Sequence, residues 1–282
     1  MRETAAVPQF EVVDDWLTLP EGFRWGQVVQ VVVDAADRVY YFHRLKPGVM
    51  IFAPDGSHLG SWPEDGRFED IHSAWYGKDA DGEYFLVVDR DRNAVARTTL
   101  SGEKVWEVAG ARFNKPTDAA AATNGDIYVS DGYGHPYVHH LSPTGEHIAT
   151  WGSSGVAPSQ FHLPHGVWVA ERDGVECVYV CDRENRRIQL FSLNGEYLGK
   201  LTNLRRPTDI ITGPDGLRYV SELLHRVTIL NANDHAIAHI GGEARAEAGQ
   251  FIAPHSVALD SSGALYVTEV LEGQRVQKFR RV

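Results

Sequence analysis

The chain has little cysteine: 282 residues carry two, Cys177 and Cys181. On one strand, four residues at about 3.3 Å rise hold them roughly 13 Å apart, beyond disulfide reach. This excludes a disulfide framework and a thiolate metal site, and two reduced, buried thiols fit a reducing compartment. Long apolar runs are missing as well. None approaches the roughly 20 residues that a membrane-spanning helix needs. The stretch from Met1 to Pro8 lacks the apolar core of a secretory leader. A cytoplasmic protein without a membrane partner is expected. Basic residues are outnumbered, 27 Lys and Arg against 38 Asp and Glu, for a formal net charge of −11. That balance argues against nucleic acid as a partner. There is no P-loop, no G-x-G-x-x-G turn after a strand and no G-x-S-x-G elbow.

What the chain does have is a repeat. Pro116-Thr117-Asp118 precedes the strand-like Ile127-Tyr128-Val129-Ser130-Asp131, and Pro164-His165-Gly166 precedes Val178-Tyr179-Val180-Cys181-Asp182. Pro207-Thr208-Asp209 precedes Tyr219-Val220-Ser221-Glu222, and Pro254-His255-Ser256 precedes Tyr266-Val267-Thr268-Glu269. Two more divergent units begin near Gln27 and Ile71, and the period is about 45 residues. Short β-branched and aromatic strands between Asp-Gly, Asn-Gly and Thr-Gly turns read as antiparallel hairpins. Six such units predict an all-β, six-bladed β-propeller forming one domain over 1–282. The last unit stops after its third strand. Phe10–Trp16 has strand character and is expected to supply the missing outer strand, closing the ring and removing an exposed edge. A ring that closes on itself is expected to be a monomer.

Superposing the units compares positions within the one chain. The position opening the innermost strand is read as Val29, His72, Asp118, His165, Asp209 and His255. In a propeller it faces the central channel, so three histidines on alternate blades can converge on the axis. Three imidazoles with one open position form a catalytic zinc arrangement. Asp118 and Asp209 are read as caps on neighbouring backbone amides. The position after each second strand holds Arg44, Arg90, Gly132, Arg183, Leu223 and Val270. Arg44 and Arg183 could bind a substrate carboxylate bidentately; the other reading, favoured for Arg90, is an ion pair with Asp91, Glu184 or an adjacent blade. Tyr133, between Gly132 and Gly134, would have its phenol pulled toward ionisation by two cations and a metal, and could act as a base. The other histidines fall at non-equivalent places and read mostly as surface residues.

These residues resemble the peptidyl-α-hydroxyglycine α-amidating lyase family within the NHL-repeat propellers. The likeness runs from Gln27 to Phe279. Tyr41-Phe42-His43-Arg44, Asp131-Gly132-Tyr133, Leu163-Pro164-His165, Asp182-Arg183-Glu184-Asn185 and Pro254-His255 carry it. The resemblance implies zinc on His72, His165 and His255, a catalytic Tyr133, and Arg44 and Arg183 in the active site. It implies cleavage of a carbinolamide, R-CO-NH-CH(OH)-COOH, to an amide and glyoxylate, with a small or short peptide-like carboxylate as substrate. The sequence departs from the family at four points. Ser256 replaces the aspartate after the last zinc histidine, which argues against the family's structural calcium. Ala253 replaces a methionine two residues before that histidine. The run Gly134-His135-Pro136-Tyr137 lacks a propeller-typical arginine, and family disulfides are missing. Two other readings stand beside the lyase. One is a metal-dependent hydrolase or hydratase in the same channel. The other is a non-enzymatic NHL propeller that binds protein, with Trp62, Trp75 and Trp168 as a candidate patch.

Overall fold

A computed structural model describes residues 7–282. They form six four-stranded antiparallel sheets; five run in chain order from the channel outward, and the last ends on the N-terminal strand. The innermost strands are Val28–Val33, Ile71–Asp79, Asp118–Ala121, Pro164–Arg172, Pro207–Thr212 and Pro254–Leu259; we number the blades 1 to 6 in that order. The six-bladed propeller is as the repeat predicts.

Burial follows from position in the blade. Second strands such as Ile127–Asp131 and Leu265–Glu269 are buried at every residue, because both faces of the sheet meet a neighbouring blade. They are accordingly continuous runs of Val, Ile and Tyr rather than alternating sequences. Outer strands such as Tyr197–Leu201 alternate with a period of two. Each repeat places a tyrosine in its second strand, and Tyr128, Tyr179, Tyr219 and Tyr266 are fully buried. Their hydroxyls find partners, for example Tyr266 on Asp260 at 2.8 Å and Tyr128 on the Leu193 carbonyl at 2.9 Å. That meets the requirement that a buried phenol be hydrogen-bonded. At the hairpin turns, Gly195 sits at φ 82° and packs on Trp151, where a Cβ would come within 2.9 Å of the indole.

The ring closes with both ends of the chain. The strand Phe10–Val13 pairs with Val276–Arg281, from Phe10 opposite Arg281 to Val13 opposite Lys278. It is shorter than the expected Phe10–Trp16, because the chain turns at Asp15 with φ 47°. Trp16 leaves the sheet and packs on Tyr41 and Tyr266. Phe10 and Val12 join the apolar cluster between blades 5 and 6 with Tyr219 and Phe279. Cys177 and Cys181 are free and buried on one strand, Val175–Asp182, as expected.

At the channel, the inner strands of blades 1, 2, 4, 5 and 6 begin with a register shift of one or two residues. A bulge turns the extra residue away from the ladder and re-aims its side chain. The shifted residues are Val29, His72, His165 with Gly166, Thr208 and His255. This corrects the superposition above. The residues level with the histidines are Thr117 and Thr208, and Asp118 and Asp209 lie one step further along the channel.

Deleting residues 1–18 removes four strand pairs and the Phe10, Val12 and Trp16 contacts, a loss of at least about 3 kcal/mol. Thermal unfolding of the truncated protein should be less cooperative and begin at lower temperature; an unchanged melt would refute closure by this strand.

Candidate metal centre

His72, His165 and His255 meet on the channel axis. One nitrogen from each lies within 4.8 Å of the others, and all three residues are buried. The ring centroids are 5.0 Å (His72–His165), 5.2 Å (His72–His255) and 4.8 Å (His165–His255) apart. Each ring is held by the blade that follows it. His72 Nδ1 donates to the Thr117 carbonyl at 2.7 Å, His165 Nδ1 to Thr208 at 2.7 Å and His255 Nδ1 to Val29 at 2.6 Å. A carbonyl can only accept, so each Nδ1 carries the proton and each Nε2 presents a lone pair. Burial, reinforced by neighbouring imidazoles and the Arg44 and Arg183 guanidiniums, holds His72 and His165 well below the usual histidine range. His255 is lowered to about 3, again chiefly by burial. Three neutral imidazoles with unprotonated Nε2 atoms converging in a dry channel fit a divalent transition-metal ion. The Nδ1–carbonyl bonds are the outer contacts such ligands require.

The loops carrying the histidines are gripped by an acid at the end of the second strand. Asp89 accepts the Glu69 and Asp70 amides at 2.7 and 3.0 Å, just before Ile71-His72. Asp182 accepts the His162 amide at 2.7 Å, and Glu269 accepts those of Ile252 and Ala253 at 2.6 and 3.2 Å. The recurring acid was visible in the sequence, but its role needed the loop's position. Two of these acids are neutralised from the start of the third strand, Asp182 by Arg187 at 2.7 Å and Glu269 by Arg275, just before its strand, at 2.5 Å. In blade 3, where the arginine is missing, His135 and His139 stand 3.0 and 3.2 Å from Asp131 instead. His139 and His140 are thus not surface residues. Both are buried, on opposite faces of their strand, with His140 on Asp126 at 2.9 Å and stacked on Tyr128. His43 is also buried, between Phe23 and Trp25, and burial lowers it to about 4.

Tyr133 closes the fourth direction. Its hydroxyl is 3.1 Å from His72 Nε2 and 3.3 Å from His165 Nε2. The flanking glycines are not needed for a left-handed turn, because neither is at positive φ. A Cβ on Gly132 would lie 1.9 Å from the Pro164 carbonyl, and one on Gly134 would lie 2.1 Å from the Asn114 side chain. The tyrosine loop therefore lies directly on the segment that carries His165.

Two arginines flank the Tyr133 ring: Arg183 at 5.7 Å and Arg90 at 5.8 Å from its centroid. Arg183 pairs with Glu184 at 2.9 Å, and Glu184 also takes Arg206 at 2.5 Å. Arg44 faces Asp70 at 3.5 Å, at the entry to the adjacent blade, which is one of the pairings expected. Asp70 is shared with Arg90 at 2.6 Å, and Arg90 also binds Asp91 at 2.9 Å. Burial outweighs both guanidiniums and lifts the Asp70 carboxyl above its ordinary value. Asp70 is the residue that sequence reasoning passed over; Arg90, read as an ion-pair residue, is one. Blades 5 and 6 present Leu223 and Val270 at the equivalent points, so the mouth is cationic on one side and apolar on the other.

Below the triad, Asp118 and Asp209 cap backbone amides, as expected. Asp118 accepts from Ala119 and Val167, both at 2.9 Å. Asp209 accepts from the Ile210 amide and the Ser256 hydroxyl, both at 2.8 Å. Each therefore staples its blade to the next. Burial raises both carboxyls, and the charge of Asp209 adds to the rise at Asp118. Among the described residues no helix is long and apolar enough to cross a membrane.

No protein-family model matches the chain. It is 27% identical over 290 residues to NHL repeat-containing protein 3 of Homo sapiens, covering 94% of this chain and 82% of that one. It is 25% identical over 319 residues to peptidyl-alpha-hydroxyglycine alpha-amidating lyase 2 of Drosophila melanogaster, covering 94% and 73%. Among solved structures, the virginiamycin B lyase from Staphylococcus aureus superposes with a TM-score of 0.63 at 14% identity, over 96% of this chain and 89% of that one. This last likeness is one of fold.

Gly132→Ala should push the Pro164-His165 segment aside and weaken metal binding roughly 10-fold or more, read by chelator competition; unchanged affinity would mean the loop contact does not position the ligand. A second expectation concerns pH. Asp118 has a native pKa above its unfolded value, so the native state binds the extra proton and stability falls as pH rises from about 4 through the raised value. In chelated protein, Asp118→Asn should lose less melting temperature between pH 4.5 and 7 than the parent; parallel curves would refute the linkage.

Proposed function

We propose that this chain, an NHL-repeat-like six-bladed β-propeller related to the amidating lyases and NHL proteins, is a metal-dependent carbon–nitrogen lyase. Its substrate would be an α-hydroxy N-acyl carboxylate, split into an amide and glyoxylate. The observation that carries this reading is the convergence at one mouth of three neutral Nε2 atoms, the Tyr133 hydroxyl and two guanidiniums. His72, His165 and His255 would hold the ion, and zinc is the metal we favour for an all-imidazole set. A bound divalent ion supplies fixed positive charge beside the reacting oxygens.

The residues of the chain account for the rest. Arg44 and Arg183 bind and orient the substrate carboxylate; Arg183 is largely buried and already hydrogen-bonded, which preorganises it. Tyr133, reaching over the triad and entering the step as its phenolate, takes the proton from the substrate hydroxyl at its phenolic oxygen. The C–N bond then breaks as the C–O bond becomes the aldehyde of glyoxylate. The same proton ends on the departing amide nitrogen, so no water is consumed. A hydrolase would consume water, and product analysis separates the two. A propeller that only binds protein has no use for three buried imidazoles committed through Nδ1.

The test is release of glyoxylate from α-hydroxyhippurate with one equivalent of metal per chain. His165→Ala and chelation should each abolish release, and Tyr133→Phe should lower kcat by roughly 10²-fold or more. A protein purified without metal, or His165→Ala with full activity, refutes the reading.

A further inference from the structure

The mouth of the channel opens beside a cavity that the metal centre does not use. A cleft of about 230 Å³ lies between blades 1 and 2, walled by Val49, Trp62, Phe68 and Ile71, with Arg44 and Asp70 on its channel side. Its origin is a difference between repeats. Where blades 3, 4 and 6 are entered, the equivalent aromatics Phe113, Phe161 and Phe251 are buried to 2%, 0% and 0% exposure and fill the gap between blades. Phe68 is only partly buried, tilted against Trp62 at 5.7 Å between centroids. The walls of this space pack against the apolar side of the mouth. Val49, Trp62, Phe68 and Ile71 belong to the same cluster as Leu223, Ala253 and Val270.

We propose that this cleft is the subsite for the acyl group of the substrate, and that it selects a compact apolar acyl group of aryl or branched-chain size. The assignment rests on the lyase reading for the placing of the carboxylate at Arg44. Arg44 forms both the wall of the cleft and the edge of the metal centre, so a ligand held there by its carboxylate has its other end beside the cleft. The volume holds one apolar group rather than a folded-back peptide, and pockets of this kind draw affinity from apolar walls with a few polar groups at the rim. Lys46, Glu64 and Arg67 supply that rim.

The test uses unreactive ligands, so it does not depend on turnover. Binding of N-benzoylglycine and N-acetylglycine to the metal-loaded protein is measured by calorimetry. The benzoyl ligand should bind at least tenfold tighter. Gly48 lines the cleft, and a Cβ there meets nothing nearer than the His43 carbonyl at 3.8 Å, so Gly48→Leu is the variant designed to occupy it. It should erase the benzoyl preference and leave N-acetylglycine binding unchanged. Phe68→Ala, which removes a wall, should weaken the benzoyl ligand and serves if the leucine variant does not fold. Equal affinities in the parent, or a preference untouched by both variants, overturns the assignment. Glyoxylate release is scored separately. Release without a benzoyl preference removes the subsite alone; a benzoyl preference without release keeps the subsite and removes the lyase.

Discussion

Three hydrogen bonds from imidazole Nδ1 atoms to main-chain carbonyls of the next blade bind the channel together. Each links two blades at the point where inner strands come closest, and each fixes which nitrogen of the ring faces the axis. Structural and chemical demands therefore fall on the same atoms. The intervening blades answer with aspartates, which accept amides from the blade that follows. Staples run by histidine from blades 2, 4 and 6 and by aspartate from blades 3 and 5. The propeller thus has a working period of two blades, which is why three ligands rather than six reach the axis.

The mouth above the triad inherits an asymmetry from the same repeat. One position, at the end of each second strand, carries arginine in blades 1, 2 and 4 and an aliphatic residue in blades 5 and 6. Each of these arginines has a resident acid, so the guanidiniums are oriented before any ligand arrives; Asp70 serves Arg44 and Arg90, and Glu184 serves Arg183 together with Arg206. A protein of net charge −11 thereby holds several arginines at one opening, and the apolar half packs toward the cleft at Phe68. An anionic head and an apolar tail would be sorted by these two halves.

Much of this was legible in the linear order of residues. Repeated turn glycines, the tyrosine of each second strand and an N-terminal segment of strand character are local signals, and local propensity and period specify the blades. The three histidines were legible because a repeat is its own alignment. Reading Asp118 and Asp209 level with them failed by one residue. A bulge adds a residue to one strand without any mark in composition, and only the pairing Pro207–Glu222 followed by Asp209–Ser221 reveals it. Likewise His139 and His140 looked like surface residues. They pack on Phe113 and Tyr128, and Asp131 and Asp126 supply the partners that their ring nitrogens need when buried.

The repeat period, the closure by Phe10–Val13 and the identity of His72, His165 and His255 as an axial set follow from the chain's order, because each depends on contacts within a blade or on equivalence between blades. The tautomer of each ring, the sharing of Asp70 between Arg44 and Arg90, and the cleft left by Phe68 belong to the assembled ring alone. Each depends on distances between residues from different blades, and those distances exist only once six sheets have closed around one axis.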